Sequence, residues 1–211
     1  MKQFPPEFRE QLNDLMRWRR DVRHFRPDEP VPDDLLEEVL EAIRLAPSVG
    51  LSEPWRIVSV KSPATRAKAL ANFEVANAAA LAGYSGERAK IYAGLKLSGM
   101  RDAPVQLAVF CDDGTDKGAG LGAGTMPEAR RYSVVSAVMN FWLASRAHGL
   151  GVGWVSILDP AQMARDLEVP ESWALVAYLC VGWPVEVSDT PELEKADWEK
   201  RDPLLASVQE R

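Results

Sequence analysis

Apolar positions recur at mostly helical spacing over residues 7–20 (Phe8, Leu12, Leu15, Met16, Trp18), which predicts a first helix. Pro27 and Pro30 break the pattern, and a second helix is predicted from about Asp33 to Leu45, with Leu36, Val39, Leu40 and Ile43 on one face. Asp33 or Asp34 is placed to cap its start, and Pro47 forbids its continuation. Ile57-Val58-Ser59-Val60 then reads as a strand. Ser62-Pro63 opens the next helix, serine as cap and proline first. Residues 64–100 are alanine-rich, helical and weakly amphipathic, with an interruption near Gly83-Tyr84-Ser85-Gly86. That composition suits a mobile cover or, equally, a plain helical hairpin.

Val105 to Cys111 reads as a buried strand, and the glycine-rich residues 112–124 as a flexible loop. Residues 132–147 are apolar on nearly every side (Val134, Val135, Val138, Met139, Phe141, Trp142, Leu143), so this helix is central to the fold or sits in a subunit interface. Gly151 to Ile157 is a short strand that starts on two glycines. Asp159-Pro160-Ala161-Gln162 opens a helix with aspartate as cap, proline first and glutamine reaching back. Trp173 to Gly182 is another apolar strand, and from Asp189 the chain is charged and extended. No repeat, linker or low-complexity stretch divides residues 1–211, which read as one domain. The expected class is α+β: a mainly antiparallel sheet surrounded by helices, with the hydrophobic helix at its centre.

Composition narrows the partners. At 211 residues, 46% hydrophobic and 27% charged, the chain has the profile of a soluble globular protein. A net charge of −6 argues against nucleic acid or an anionic membrane as the main partner. The N-terminus shows no apolar run of signal-peptide type and no stretch reaches membrane-span length, so a cytoplasmic location is expected. Cys111 and Cys180 lie in apolar runs and read as buried thiols, and with only His24 and His148 besides, no metal site is expected.

The densest chemistry is Arg19-Arg20-Asp21-Val22-Arg23-His24-Phe25. Three guanidinium groups can fork onto the oxygens of a phosphate monoester, and in an acidic protein they imply a small anion rather than a polymer. A solvated basic face at a helix end explains the same stretch. The turn from Ala46 to Trp55 can set amides and the Ser48 hydroxyl against a flat polar ring, or be an ordinary connection. No P-loop or dinucleotide fingerprint occurs; Gly149-Leu150-Gly151-Val152-Gly153 precedes a strand instead of following one. Neither histidine has a nucleophile nearby in sequence.

Four stretches occur in order: Arg-Arg-Asp-Val-Arg-x-Phe from Arg19, Ala-Pro-Ser-Val-Gly-x-x-x-Pro-Trp from Ala46, Ser-Gly-Glu-Arg from Ser85, and Gly-Val-Gly-Trp-Val-Ser ending at Ser156. In them the chain resembles the 5,6-dimethylbenzimidazole synthase family of nitroreductase-like flavoproteins, over about residues 15–204. The Ala-Pro-Ser turn alone indicates only the wider superfamily; the aspartate within the arginine cluster, with Gly-Val-Gly-Trp-Val-Ser, is more specific.

The resemblance implies a nitroreductase-like fold and a homodimer with flavin sites at the interface. It also implies that reduced FMN is consumed as a substrate with O2, giving 5,6-dimethylbenzimidazole, the lower ligand of vitamin B12, and erythrose 4-phosphate. A separate flavin reductase would supply the reduced FMN. Carried onto this chain, Arg19, Arg20 and Arg23 bind the phosphate and neighbouring polar groups, Val22 lies among them, and Arg201 is the C-terminal basic position. Ser48 and Gly50 line the ring edge, and Leu97 comes from a helical cover over residues 73–100 that closes over the ring, while residues 189–211 form an extended tail. Asp21 is the acid–base residue and Ser156 the second functional residue. The three arginines are expected to hold Asp21 ionised. The chain departs from the pattern at Glu199, where a second basic residue is expected. An NAD(P)H-dependent FMN nitroreductase or flavin reductase is the first alternative, against which Asp21 speaks because a neutral residue is usual there. A non-catalytic FMN-binding protein is the second.

Overall fold

The computed structural model describes residues 2–95 and 98–211, with backbone only at 204 and 206. Helix α1 (Pro6–Trp18) leads to α2 (Asp33–Glu41), which tightens into a 3₁₀ turn over Ala42–Leu45. Strand β1 (Trp55–Ser59) is followed by α3 (Pro63–Ala82), α4 (Gly86–Gly94) and the one-turn α5 (Gly99–Asp102). Strand β2 (Val105–Asp112), α6 (Ala129–Ala147), β3 (Gly151–Val155), α7 (Pro160–Asp166) and β4 (Trp173–Gly182) complete the core. The tail carries α8 (Glu192–Lys195) and a 3₁₀ turn at Pro203–Ala206, so it is not extended throughout.

The four strands form one antiparallel sheet in the order β1-β2-β4-β3. The central strands β2 and β4 are covered on both faces, which is why their sequences are apolar without a break. Their period-2 alternation still assigns the faces. Leu107, Val109, Cys111, Ala177, Leu179 and Val181 meet α2 and α6 through Val39, Val134, Val138 and Phe141. Ala108, Phe110, Tyr178 and Cys180 meet Ala69 and Phe73 of α3, Met100 of α5 and Met163 of α7. Each fully buried side chain of this size contributes about 1.5–3 kcal/mol. The α+β class and the antiparallel sheet agree with the sequence pattern, and α6 is the helix seated on the sheet.

Local details differ in places. Ser62 accepts from the Thr65 N–H, and Asp159 from the Ala161 and Gln162 N–H groups, as expected of caps. Gln162, however, does not reach back: its amide donates to Asp166 and accepts from Arg165. No aspartate caps α2, because Pro32 holds the cap position and Asp34 only accepts from the adjacent Leu35 N–H. The expected cover also begins too early. Ala69, Asn72 and Phe73 of α3 are buried, so the residue at which the expected cover begins is part of the core, whereas α4 buries Tyr92 alone.

Candidate active site

Helix α1 stops at Trp18 because Arg19 turns extended, its N–H still donating to the Leu15 carbonyl. From there the chain runs beside the edge strand β3. Asp21 forms a parallel bridge with Val152, and the Val22 N–H donates to the Val152 carbonyl at 3.0 Å. Phe25 bridges Pro184, Arg26 N–H donates to the Trp183 carbonyl, and the Phe25 ring is buried. The two glycines that open β3 permit this approach: a Cβ at Gly151 would stand 2.8 Å from a Val22 methyl, and one at Gly153 would overlap the Val22 carbonyl oxygen. Their role is backbone contact, and it fixes Asp21.

Asp21 Oδ1 accepts the Trp154 N–H at 2.8 Å, while Oδ2 has only a long contact, 3.5 Å, from Arg23 Nε. The other arginines turn elsewhere. Arg19 lies 4.7 Å over the Trp142 ring, and Arg20 donates to the carbonyls of Asp189 and Arg19. Asp21 therefore departs from expectation. Its side chain keeps 38% of its exposure but sits deep in a cleft, and the loss of water raises its proton affinity above the ordinary carboxylate range. The Trp154 N–H, Arg23 and Arg19 oppose this without reversing it. Neighbours in sequence do not neutralise a carboxylate unless they point at it.

Asp21, Val22, Arg23 and Leu95 are shared by two cavities, of about 380 and 230 Å³. The larger carries charge, from Arg20, Arg146, Glu186 and Glu192. The smaller is mostly apolar, walled by Phe73, Tyr92, Met100, Trp154 and Trp198, with Ser156 beside Asp21 on its lining. Around the corner, Arg19, Arg20 and Arg201 converge on one depression with Arg17. Burial lowers the proton affinity of Arg19 and Arg20, and the like charge of Arg201 lowers it further. Arg20 thus links this cationic depression to the charged cavity, which adjoins the apolar chamber across Asp21. That arrangement suits a ligand with a phosphate at one end and a ring at the other, near the lower size limit of small-molecule sites, about 300 Å³.

Of the residues singled out in the sequence, Arg19, Arg20, Asp21, Val22, Arg23, Ser156 and Arg201 are gathered in this region. Ser48 and Gly50 are not. Ser48 Oγ accepts the Glu53 N–H, and Gly50, at φ +57°, packs against the Gly118 and Leu121 carbonyls, away from both cavity linings. Leu97 lies outside the described residues.

The structure adds groups that sequence spacing did not reveal. Ser98 Oγ lies 2.8 Å from His24 Nδ1 and donates to Asp102, which assigns the bonding proton of the first pair to the imidazole. This Asp–Ser–His order is not a hydrolase triad, whose carboxylate would face the histidine. Cys180 also lines the apolar cavity; burial, then the nearby Asp21 charge, pushes its thiol up to about 12, so it is inert. Among the described residues no group of three metal-ligating side chains occurs, and no helix is long and apolar enough to cross a membrane.

Comparison with known proteins agrees with this geometry. The nitroreductase family profile matches residues 16–183. A Rhodospirillum rubrum protein named 5,6-dimethylbenzimidazole synthase is 55% identical over 200 residues, covering 95% of this chain and 94% of that protein. A Rhodobacter capsulatus protein of the same name is 46% identical, covering 95% and 96%. In fold, iodotyrosine deiodinase crystallised with FMN and 3-iodo-L-tyrosine superposes with a TM-score of 0.70 at 23% identity, covering 84% of this chain and 91% of that one. The chain belongs to the nitroreductase family, within its 5,6-dimethylbenzimidazole synthase branch.

Proposed function

We propose that this chain is a 5,6-dimethylbenzimidazole synthase that takes reduced FMN as its substrate. The observation that carries the reading is the placement of Asp21 and Ser156 on one apolar cavity that shares a wall with the charged cavity, which in turn shares Arg20 with the arginine depression. Reduced FMN supplies the electrons and the carbon skeleton: with O2 it yields 5,6-dimethylbenzimidazole, which keeps the ribityl carbon next to the ring, while the other four ribityl carbons leave as D-erythrose 4-phosphate and the pyrimidine part of the ring is released.

Arg19, Arg20 and Arg201 hold the phosphate. Burial chiefly, and the like charge of Arg201 after it, lowers the proton affinity of Arg19 and Arg20, and a dianion among them relieves the repulsion. Each charge-assisted bond contributes about 1.5–3 kcal/mol. Val22 and Arg23 form the wall between the phosphate end and the ring. Asp21 carries a proton to or from the ribityl carbon next to the ring, and its raised proton affinity suits a group that must both take and return one. Ser156 hydrogen-bonds the ring edge.

Ser48 and Gly50 come from a second copy of the chain. The surface around their turn favours this, since Leu51, Leu121, Tyr132, Val135 and Met139 are exposed there and need a partner. The homodimer would then complete both sites, with a separate reductase supplying reduced FMN. The location is cytoplasmic in this reading.

The test is direct. Purified protein given reduced FMN and air is expected to form 5,6-dimethylbenzimidazole, read by chromatography. If only reoxidised FMN appears, the synthase reading fails and a flavin reductase takes its place.

A further inference from the structure

The apolar cavity has one wall that the core does not build. Helix α4 and the tail meet there, and they meet on one side chain. The Trp198 ring packs edge-on against Tyr84, with centroids 5.2 Å apart, and lies 6.1 Å from Tyr92. The Arg88 guanidinium lies 4.8 Å over the same ring and donates to the Trp198 carbonyl. Glu199 adds an ion pair to Arg88 at 3.7 Å. This also accounts for the acid found where the family pattern has a base: Glu199 faces the helix rather than the arginine depression.

Two features set Trp198 in place. Asp197 takes a left-handed φ of +54° at the end of α8, and the Trp198 N–H donates to the Leu193 carbonyl. On the other side Tyr92 is tied to α3, its hydroxyl donating to Asn77 at 2.8 Å. Of this group, Tyr92 and Trp198 line the cavity that holds Asp21 and Ser156, whereas Arg88 and Tyr84 do not.

We propose that Trp198 is a positioning residue: it clasps α4 to the tail and so closes the reaction cavity to water. The proposal rests on the function proposed above. Its chemical consequence is a choice between two outcomes for reduced FMN. In the wasteful one, two electrons pass to O2 and two protons leave with them, giving oxidised FMN and hydrogen peroxide. An open cavity admits water that relays those protons from the flavin to the departing peroxide, and a closed one restricts it.

Trp198→Ala is therefore expected to lower the ratio of 5,6-dimethylbenzimidazole to hydrogen peroxide at least fivefold, while reduced FMN is consumed no more slowly. Trp198→Phe, which keeps an aromatic face for Tyr84 and Arg88, should recover most of the ratio. Arg88→Ala, which removes a side chain that holds Trp198 but does not itself line the cavity, should shift the ratio in the same direction by less. A second readout needs no ligand: limited proteolysis of the free protein at residues 83–86 should accelerate at least threefold in Trp198→Ala. An unchanged ratio overturns the proposal, as does a parallel fall in both products that Phe does not rescue. If the wild-type chain forms no 5,6-dimethylbenzimidazole, the synthase reading fails, and the proteolysis rates still decide whether the clasp exists.

Discussion

The two walls of the apolar cavity are made in different ways. The Arg19–Phe25 wall is fixed by backbone: it bridges β3 and the chain after β4, and the glycines of β3 let it lie in direct contact with the sheet edge. The α4–tail wall is held by side chains, on a helix that buries only Tyr92. The acid sits on the first wall and the clasp on the second. On the function proposed, position is controlled where a proton moves to one atom, and closure where a large ligand enters. Backbone bonds and close packing give little local freedom, whereas sparse contacts allow local opening without global unfolding.

The hardest test of this contrast is to place the same methyl on each wall. Gly153→Ala overlaps the Val22 carbonyl, so either β3 or the Asp21 strand must shift. The cost is about 1–3 kcal/mol for overpacking, read as a fall of roughly 2–12 °C in Tm, and product formation should drop below detection as the Trp154–Asp21 bond is lost. Gly94→Ala, at the end of α4, meets nothing within 4 Å. Its Tm should move by no more than about 0.5 kcal/mol equivalent, with most activity kept. Equal damage from both substitutions, measured by thermal melts and product yield, would erase the distinction between the walls.

Asp21→Asn is next in size and separates geometry from proton transfer. Asparagine can still accept the Trp154 N–H, so FMN binding should stay within about threefold while product formation falls about 10²–10⁴-fold, the usual range for an acid–base group. The same variant tests the raised proton affinity of Asp21. Because folding raises it, the stability contribution of this carboxyl is complete below its unfolded pKa and is lost as pH rises through the folded one. The ligand-free Asn variant should thus melt above the wild type at pH 8, and the gap should close in acid. A wild type that melts higher at pH 8 would mean that the arginines, not burial, govern Asp21.

That reversal marks where the sequence stopped being informative. The helix starts at Ser62-Pro63 and Asp159-Pro160 were legible because cap and proline act within three residues. The apolar runs of β2 and β4 were legible because both faces are buried. Asp21 was legible as a candidate, but the effect of its neighbours was not, since Arg19 and Arg20 are drawn off by Trp142 and Asp189. Ser48 and Gly50 could be named as ring-edge residues, although one chain does not bring them to the cavity. His24 with Ser98, and Arg88 with Trp198, are separated by 74 and 110 residues. No local pattern connects pairs so distant; only the fold does.

The smallest effect concerns the phosphate depression, where the two walls meet. Arg19 belongs to the fixed wall and is half-buried over Trp142, while Arg201 arrives on the tail and is exposed. A charge in open water is screened by salt within about 8–10 Å at ordinary ionic strength, and a partly buried one is screened much less. Arg19→Ala should therefore weaken FMN binding more than tenfold, beyond about 1.4 kcal/mol. Arg201→Ala should weaken it by less than tenfold. Raising the salt from about 0.1 M to 1 M shortens the screening length to roughly 3 Å, so the Arg201 effect should vanish first while that of Arg19 persists. Fluorescence titration of FMN at both salt concentrations reads this order. If Arg201→Ala costs as much as Arg19→Ala and the loss survives 1 M salt, the tail is as much a part of the fixed site as the β3 wall, and the contrast between the two walls does not extend to the phosphate.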